Sequence, residues 1–293
     1  MLVNYNRKDE LMITLAKAKE VISYRPEDFE IVLVDNASVD GSADAVKINH
    51  PDVVLIENKI NTGAPAWNLG FAKAKGDYFI IIDDDSHIIT GLKEALEYMD
   101  GHADIGILAL NITSGPYTSK DWELVDKQDT VGFIGCGAIY RKSVYEKVGG
   151  YAEWIFLYAN EWDLGFRTWA AGYRVEFFEK CTVDHRASKV NRTSKRLVML
   201  AQAHEMCIVY KYFGSNRWKY ISYQIINSMK ALKNGDFKVA GYALSGIRKF
   251  FQMKKNITPT PVSEDIQKLF LSMYWGTKPA FGFIGRRLSA LVK

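Results

Sequence analysis

Short apolar runs alternate with polar, helix-periodic stretches through the first two thirds of the chain. Glu30–Val34, Val53–Ile56, Tyr78–Ile82 and Ile105–Leu110 are runs of strand length, rich in Val and Ile, and read as buried strands. Met1-Leu2-Val3 adds a short one at the start. Between them Asp9–Ser23, Ser42–Asn49, Ala64–Ala74 and Leu92–Met99 have helical character. A helix over Glu161–Ala171 is ended by Gly172, and Val175–Phe178 forms a late strand. This alternation predicts an α/β fold with a mainly parallel sheet covered on both faces. Residues 113–130 are polar and turn-rich, a mobile loop.

After about residue 190 the pattern changes to long helical segments rich in Tyr, Trp, Lys and Arg. Ser194–Phe213, Arg217–Asn234, Lys238–Met253 and Ser263–Tyr274 are the predicted helices. Gly214-Ser215, Asn234-Gly235-Asp236 and Thr258-Pro259-Thr260-Pro261 punctuate them. The expected organisation is therefore an α/β domain over residues 1–190 and a basic amphipathic helical region over residues 191–293.

The strand ends carry the chemistry. Tyr78–Ile82 runs straight into Asp83-Asp84-Asp85. Three carboxylates at the end of a buried strand repel one another and lose water, and a divalent cation offsets both costs. Hard oxygen ligands suit Mg²⁺ or Mn²⁺. A polar turn after a strand is the plain alternative. Glu30–Val34 likewise feeds Asp35-Asn36-Ala37-Ser38-Val39-Asp40-Gly41-Ser42, and the first strand feeds Asn4-Tyr5-Asn6-Arg7. In open α/β sheets ligands bind beyond the carboxyl ends of strands, so three strand ends predict one polar crevice.

Composition adds limits. Of 293 residues, 48% are hydrophobic and 25% charged, which is ordinary for a globular chain. Cys136, Cys181 and Cys207 lack paired metal-ligand spacing and suggest reduced thiols and a cytosolic setting. No secretory leader opens the chain, and no apolar run approaches the roughly 18 residues of a membrane span. The charge is segregated. Residues 1–185 hold 18 Lys+Arg against 30 Asp+Glu, while residues 186–293 hold 20 against 4. That asymmetry predicts a basic appendage facing an anionic surface.

Taken in order, Asn4-Tyr5-Asn6-Arg7, Val34–Ser42, Asn61-Thr62-Gly63 with Asn68-Leu69-Gly70, Asp83-Asp84-Asp85, Gly135–Arg141, Val148–Tyr151, Asn160–Arg167 and His185 resemble glycosyltransferase family 2. Each motif is weak alone; the collinear series over roughly residues 1–190 is specific. The pattern most resembles the rhamnosyltransferase and galactofuranosyltransferase-like members. The resemblance implies a GT-A fold and an inverting, metal-dependent transfer of a sugar from a nucleotide-diphosphate donor to a glycan or lipid-linked acceptor, in surface polysaccharide synthesis. It implies metal ligands Asp83, Asp85 and His185, with Asp85 the direct one and Asp83 or Asp84 near the ribose. Imidazole suits Mn²⁺ better than Mg²⁺. It implies donor contacts from Asn4, Tyr5, Asn6, Asp35, Asn36, Asn61, Gly63 and Asn68. A carboxylate such as Asp35 can accept the imide N–H of a pyrimidine, which points to UDP or dTDP. Gly135-Cys136-Gly137 would present backbone to the donor sugar or the acceptor.

Glu161 is the implied base, at a helix start that favours its ionised form. Asp163 would orient the acceptor or brace the site, and its spacing to Arg167 allows an i,i+4 pair. Relatives carry more apolar residues before the Asn-Tyr-Asn motif, so the chain start is truncated or the first strand is short. Three rival readings stand beside the transferase. A sugar-nucleotide pyrophosphorylase would need a Gly-rich, basic N-terminal loop, which Asn4–Arg7 does not provide. A non-catalytic nucleotide-sugar binder does not need the Asp83, Asp85, Glu161 and His185 set. Nucleic-acid binding through the basic C-terminal helices is the third, and is disfavoured because those helices fit an anionic membrane surface as well. The expected location is cytoplasmic, peripheral on the inner membrane face.

Overall fold

Val32-Leu33-Val34 carries apolar side chains on alternate faces, so a strand there is stable only if both faces are covered. The computed structural model, which describes residues 1–115, 118–120, 124, 128–188, 190, 193–228 and 235–274, covers both. β2 (Val32–Asp35) is buried throughout. It lies between β1 (Leu2–Asn4) and β3 (Val54–Glu57), parallel to each, with Asn4 beside Asp35 and Asp35 beside Glu57. Helices α1 (Lys8–Val21), α2 (Ser42–Asn49) and α3 (Trp67–Lys73) connect and flank these strands.

A second sheet holds β4 (Tyr78–Ile81), β5 (Ser86–Thr90), β6 (Ile105–Ile112), β7 (Ala138–Arg141) and β8 (Arg174–His185), in the order β4-β7-β6-β8-β5. Only β6 and β8 pair in parallel here; β4–β7, β6–β7 and β5–β8 are antiparallel. The α/β class stands, but parallel pairing is confined to the first sheet and the β6–β8 pair. β4 and β5, joined by the short segment Ile82 to Asp85, lie at opposite ends of this strand order and do not pair with each other. Pattern reading missed β5 and β7 and stopped β8 at Phe178. A register shift at Leu110/Asn111 lets β8 continue to His185 despite Glu179 and Lys180. Helices α4 (Leu92–Gly101), α5 (Lys142–Val148) and α6 (Asn160–Ala170) complete the α/β part.

The first strand spans three residues, and one hydrogen bond, Ile82 N–H to the Met1 carbonyl at 3.3 Å, links its start to the segment after β4. Beside Met1 an apolar cavity of about 460 Å³ opens between the two sheets, lined by Ile31, Val32, Tyr78 and Ile80 among others. The predicted loop over 113–130 lies partly outside the described residues. Its described parts are anchored: the Ile112 N–H donates to Ser119 Oγ at 2.8 Å, and Leu124 is fully buried.

The C-terminal helices are α7 (Ser194–Tyr212), α8 (Arg217–Ser228), α9 (Phe237–Met253) and α10 (Glu264–Tyr274). The predicted end of the second of them, residues 229–234, lies outside the described residues. Among the described residues these helices share the core of the α/β part. Tyr212, Phe213, Phe250 and Phe270 join the cluster that holds Trp162 and Phe166, and Tyr212 stacks on Phe166 with ring centroids 4.6 Å apart. The change near residue 190 is thus a change of architecture from strand–helix to all-helix, with packing continuous across it. Among the described residues no helix is long and apolar enough to cross a membrane.

Candidate active site

The carboxyl ends of β1 and β2 are tied to each other by side chains. Asn4 Nδ2 donates to Asp35 Oδ1 at 3.0 Å and to Ser38 Oγ at 3.1 Å. The Ser38 N–H donates to Asp35 Oδ2, and the Val39 N–H to Asn6 Oδ1 at 2.7 Å. Asn4 and Asp35 are therefore braced parts of the crevice wall. The backbone is strained at the same places. Among the described residues, the non-glycine residues with positive φ are Asn6, Ala37, Tyr158, Ala159 and Ala187. All five sit in loops after strand ends or just before α6, and such conformations persist where the surroundings over-determine them, as at functional sites.

Asn36 and Asn61 shape the next loop. Asn36 Nδ2 donates to Asn61 Oδ1 at 3.0 Å, Asn36 Oδ1 accepts from Thr62 N–H, and Asn61 Oδ1 accepts from Gly63 N–H at 2.9 Å. Gly63 has φ 71°, and a Cβ there would lie 2.0 Å from the Phe156 carbonyl. Only glycine fits that approach. Asn68 grips the Tyr151 backbone from both sides, accepting from its N–H and donating to its carbonyl, each at 2.8 Å. Of the roles open to these asparagines, holding loop backbone is the one the structure displays.

The turn from β4 to β5 holds the three aspartates. Asp83, Asp85 and His185 each offer a ligand atom, and these atoms lie within 4.8 Å of one another. His185 reaches the group because β8 pairs with β5, which places it opposite Ser86. Two carboxylates and an imidazole are a donor set suited to a divalent transition ion, so the residues present fit the expected cation. Asp84 is not part of that cluster. It is 4% exposed, and its oxygens receive Arg7 Nη1 at 2.8 Å and the Tyr5 N–H at 3.4 Å. Burial pushes its pKa up to about 7, against the opposing pull of Arg7. In this arrangement Asp84 anchors the start of α1 to the turn.

Glu161 lies in the first turn of α6, after Tyr158 and Ala159 in the left-handed region. Its Oε1 lies 2.3 Å from where a Cβ on Gly135 would stand. The glycine before Cys136 therefore makes room for the carboxylate. A short chain of contacts leads on to the aspartates. The Cys136 carbonyl accepts from Ser86 Oγ at 3.2 Å, and Ser86 Oγ accepts from the Asp83 N–H at 2.9 Å. Tyr151 is buried, and its phenol pKa is raised well above the usual value by burial and by the fields of Glu161 and Asp83. One phenol thus senses both carboxylates.

Asp163, two residues further along the same helix, points elsewhere, as an i,i+2 pair must. It is fully buried and accepts from Arg167 Nε at 2.8 Å, Lys211 Nζ at 2.9 Å and Tyr212 Oη at 2.7 Å. Burial raises its pKa, but Arg167 and Lys211 outweigh that and hold it below the usual value. Of the two roles expected for Asp163, bracing is the one its surroundings fit. Sequence reasoning assigned no role to Arg7, Ser86, Tyr151 or Lys211. Arg7 and Tyr151 lay inside recognised motifs, whereas nothing in the sequence marked Lys211.

The family described as Glycosyl transferase family 2 matches residues 1–149. A poly(ribitol-phosphate) beta-glucosyltransferase of Bacillus spizizenii is 39% identical over 67 residues, which are 21% of this chain and 11% of that protein. The chain thus matches only about a tenth of that relative's length. Among solved structures, the mannosyltransferase PcManGT of Pyrobaculum calidifontis, in complex with GDP-Man and Mn²⁺, superposes with a TM-score of 0.61 at 19% identity, covering 100% of this chain and 85% of its own. TarS residues 1–349 of S. aureus, in complex with UDP-GlcNAc, gives 0.59 at 15% identity, covering 92% and 83%. At these identities the likeness concerns the fold, which is GT-A.

Proposed function

The chain belongs to glycosyl transferase family 2, and from that premise we propose that it transfers a sugar, with inversion, from a nucleotide-diphosphate donor to a hydroxyl of a glycan or lipid-linked acceptor. The observation that carries the reading is the convergence of the Asp83, Asp85 and His185 ligand atoms with Glu161 through Ser86, Cys136 and Gly135. Asp83, Asp85 and His185 would hold a divalent cation, Mn²⁺ or Mg²⁺. When bound, that cation supplies charge neutralisation at the leaving diphosphate. Glu161 accepts the proton of the acceptor hydroxyl. Its carboxylate sits against Gly135, where no side chain intervenes. Tyr151, buried and under the fields of Glu161 and Asp83, keeps its proton. Asp35 retains lone pairs beyond those used by Asn4 and Ser38, so it can accept the imide N–H of a uracil or thymine. That supports UDP or dTDP as the nucleotide.

The same reading places the protein at a membrane surface. On α9, Phe237, Leu244 and Phe251 recur every seven residues and are all exposed. Trp218 on α8 is exposed beside them, with Lys254 over its ring at 5.0 Å and over Phe251 at 5.3 Å. An exposed apolar stripe with Lys254 at its end suits an anionic bilayer near a lipid-linked acceptor.

A donor screen tests the activity. The purified chain is given UDP-, dTDP- and GDP-sugars with Mn²⁺ or Mg²⁺, and free nucleotide is measured. Turnover of a UDP- or dTDP-sugar that stops with chelator and with Asp85→Ala is expected. Full turnover in excess chelator overturns the metal assignment. Donor binding without any turnover, in the presence of candidate acceptors, favours a non-catalytic sugar-nucleotide binder.

A further inference from the structure

Asp85 is fully buried, and its two oxygens have different surroundings. Oδ2 receives Arg7 Nη1 at 3.1 Å and the Ser188 N–H at 2.8 Å. Oδ1 lies 3.3 Å from His185 Nε2. A carboxylate rotates about its last bond unless something distinguishes its oxygens, and here two donors pin one of them. The same guanidinium closes a loop of contacts. Arg7 Nη2 donates to the Val190 carbonyl at 3.1 Å, and the Val190 N–H donates to Ser188 Oγ at 3.3 Å. Arg7 thereby fixes the segment whose Ser188 N–H shares Asp85 Oδ2. Its Nη1 also reaches Asp84 Oδ1 at 2.8 Å, so a single side chain spans two aspartates and the chain beyond β8.

We infer that Arg7 is the positioning residue of the cation site: it holds Asp85 by Oδ2 so that Oδ1 is presented beside His185. The inference rests on the reading of Asp83, Asp85 and His185 as that site. Two effects of Arg7 oppose each other. Its positive charge disfavours a cation nearby, whereas orientation of the ligand favours one. The buried geometry decides for orientation. Asp84 and Asp85 already neutralise the guanidinium, and outer-shell partners of metal ligands are worth roughly 10–100-fold in metal affinity. Lysine cannot replace it, because a single ammonium cannot reach Asp84, Asp85 and the Val190 carbonyl at once.

The test is titration with Mn²⁺ alone, followed by calorimetry and by loss of the free-ion paramagnetic signal, in the unmodified chain, Arg7→Lys, Arg7→Met and the double variant Arg7→Met/Asp84→Asn. The double variant removes the carboxylate that Arg7→Met would leave buried without its partner. Its unfolding midpoint in chelator, close to that of the unmodified chain, certifies the fold. Mn²⁺ binding weakened roughly 10–100-fold in Arg7→Met and in the double variant, with Arg7→Lys between, is the expected result. Equal or tighter binding by the folded double variant overturns the inference and makes Arg7 a competing counter-charge. Absence of Mn²⁺ binding in the unmodified chain removes the cation-site reading itself, and the inference with it.

Discussion

Lys211 Nζ lies 2.9 Å from Asp163 Oδ1, a contact across 48 residues that joins α7 to the helix bearing Glu161. Asp163 has no exposed surface, and Arg167 and Tyr212 complete its shell. Arg167 extends the brace by donating to the Val148 carbonyl at 2.7 Å and the Gly150 carbonyl at 2.6 Å. The ion cluster thus sets the height of α6 relative to the Gly150-Tyr151 turn. Asp163→Asn leaves Arg167 and Lys211 without their counter-charge. A loss of about 3 kcal/mol is expected, because breaking a buried pair from one side is costly. Tyr212→Phe, which removes only a hydrogen bond, should cost about 1 kcal/mol. Urea unfolding of the two variants checks the order. Equal, small effects would show that the cluster is not a brace.

Glu161→Gln keeps the shape that Gly135 accommodates and removes the proton acceptor. Donor affinity should stay within a few-fold of the unmodified chain, and transfer should fall by roughly 10² or more. Donor titration and transfer rate are measured on the same preparation. Undiminished transfer would place the base elsewhere.

His204 gives the fold a pH dependence of known sign. Its Nδ1 lies 2.7 Å from the Leu157 carbonyl. Burial lowers its pKa to about 4, against the usual value of 6.5. Between those values the unfolded chain binds a proton that the folded chain refuses. Stability therefore falls as pH drops from 6.5 toward 4, by about 3 kcal/mol over the window. His204→Asn can still donate to Leu157 but does not titrate. Its unfolding midpoint should lose less than that of the unmodified chain between pH 7 and pH 4.5. Parallel losses would mean that His204 does not titrate as its burial requires.

The exposed stripe of Phe237, Leu244 and Phe251 should bind anionic vesicles and ignore neutral ones. Each Lys or Arg near such a leaflet contributes about 1 kcal/mol, and salt screens exposed charges beyond about 8–10 Å. Sedimentation with anionic vesicles should weaken at high salt and should drop further in Phe237→Ser/Leu244→Ser. Equal, negligible binding to both lipid types would leave these helices as a packing module alone.

Filling the cavity beside Met1 should stabilise the fold. Phe29→Trp enlarges an apolar side chain that lines it, and each buried methylene equivalent is worth about 0.8 kcal/mol. A rise in the thermal midpoint is expected. A fall would show that the cavity wall cannot accept the larger ring.

By itself the sequence determined the alternating strands and helices, the polar crevice at their ends, and the motif series that carries the family. Those features are local. Apolar run length, turn residues and carboxylates at strand ends are written in consecutive residues, and β2, β4 and α6 lie within a few positions of where the pattern puts them. Tertiary structure alone decided which of the three aspartates gather with His185. Asp83 and Asp85 do, while Asp84, identical in type, pairs with Arg7 seventy-seven residues earlier in the chain. It also decided the partners of Asp163, because Lys211 and Tyr212 arrive from a helix that no local pattern connects to it. Antiparallel β7 was invisible for the same reason: Ala138-Ile139-Tyr140 is too short to declare itself and becomes a strand only where β4 and β6 offer it hydrogen bonds on both sides. Local propensity is read from neighbours in sequence, whereas a side chain's role follows from charges and backbone brought to it by packing.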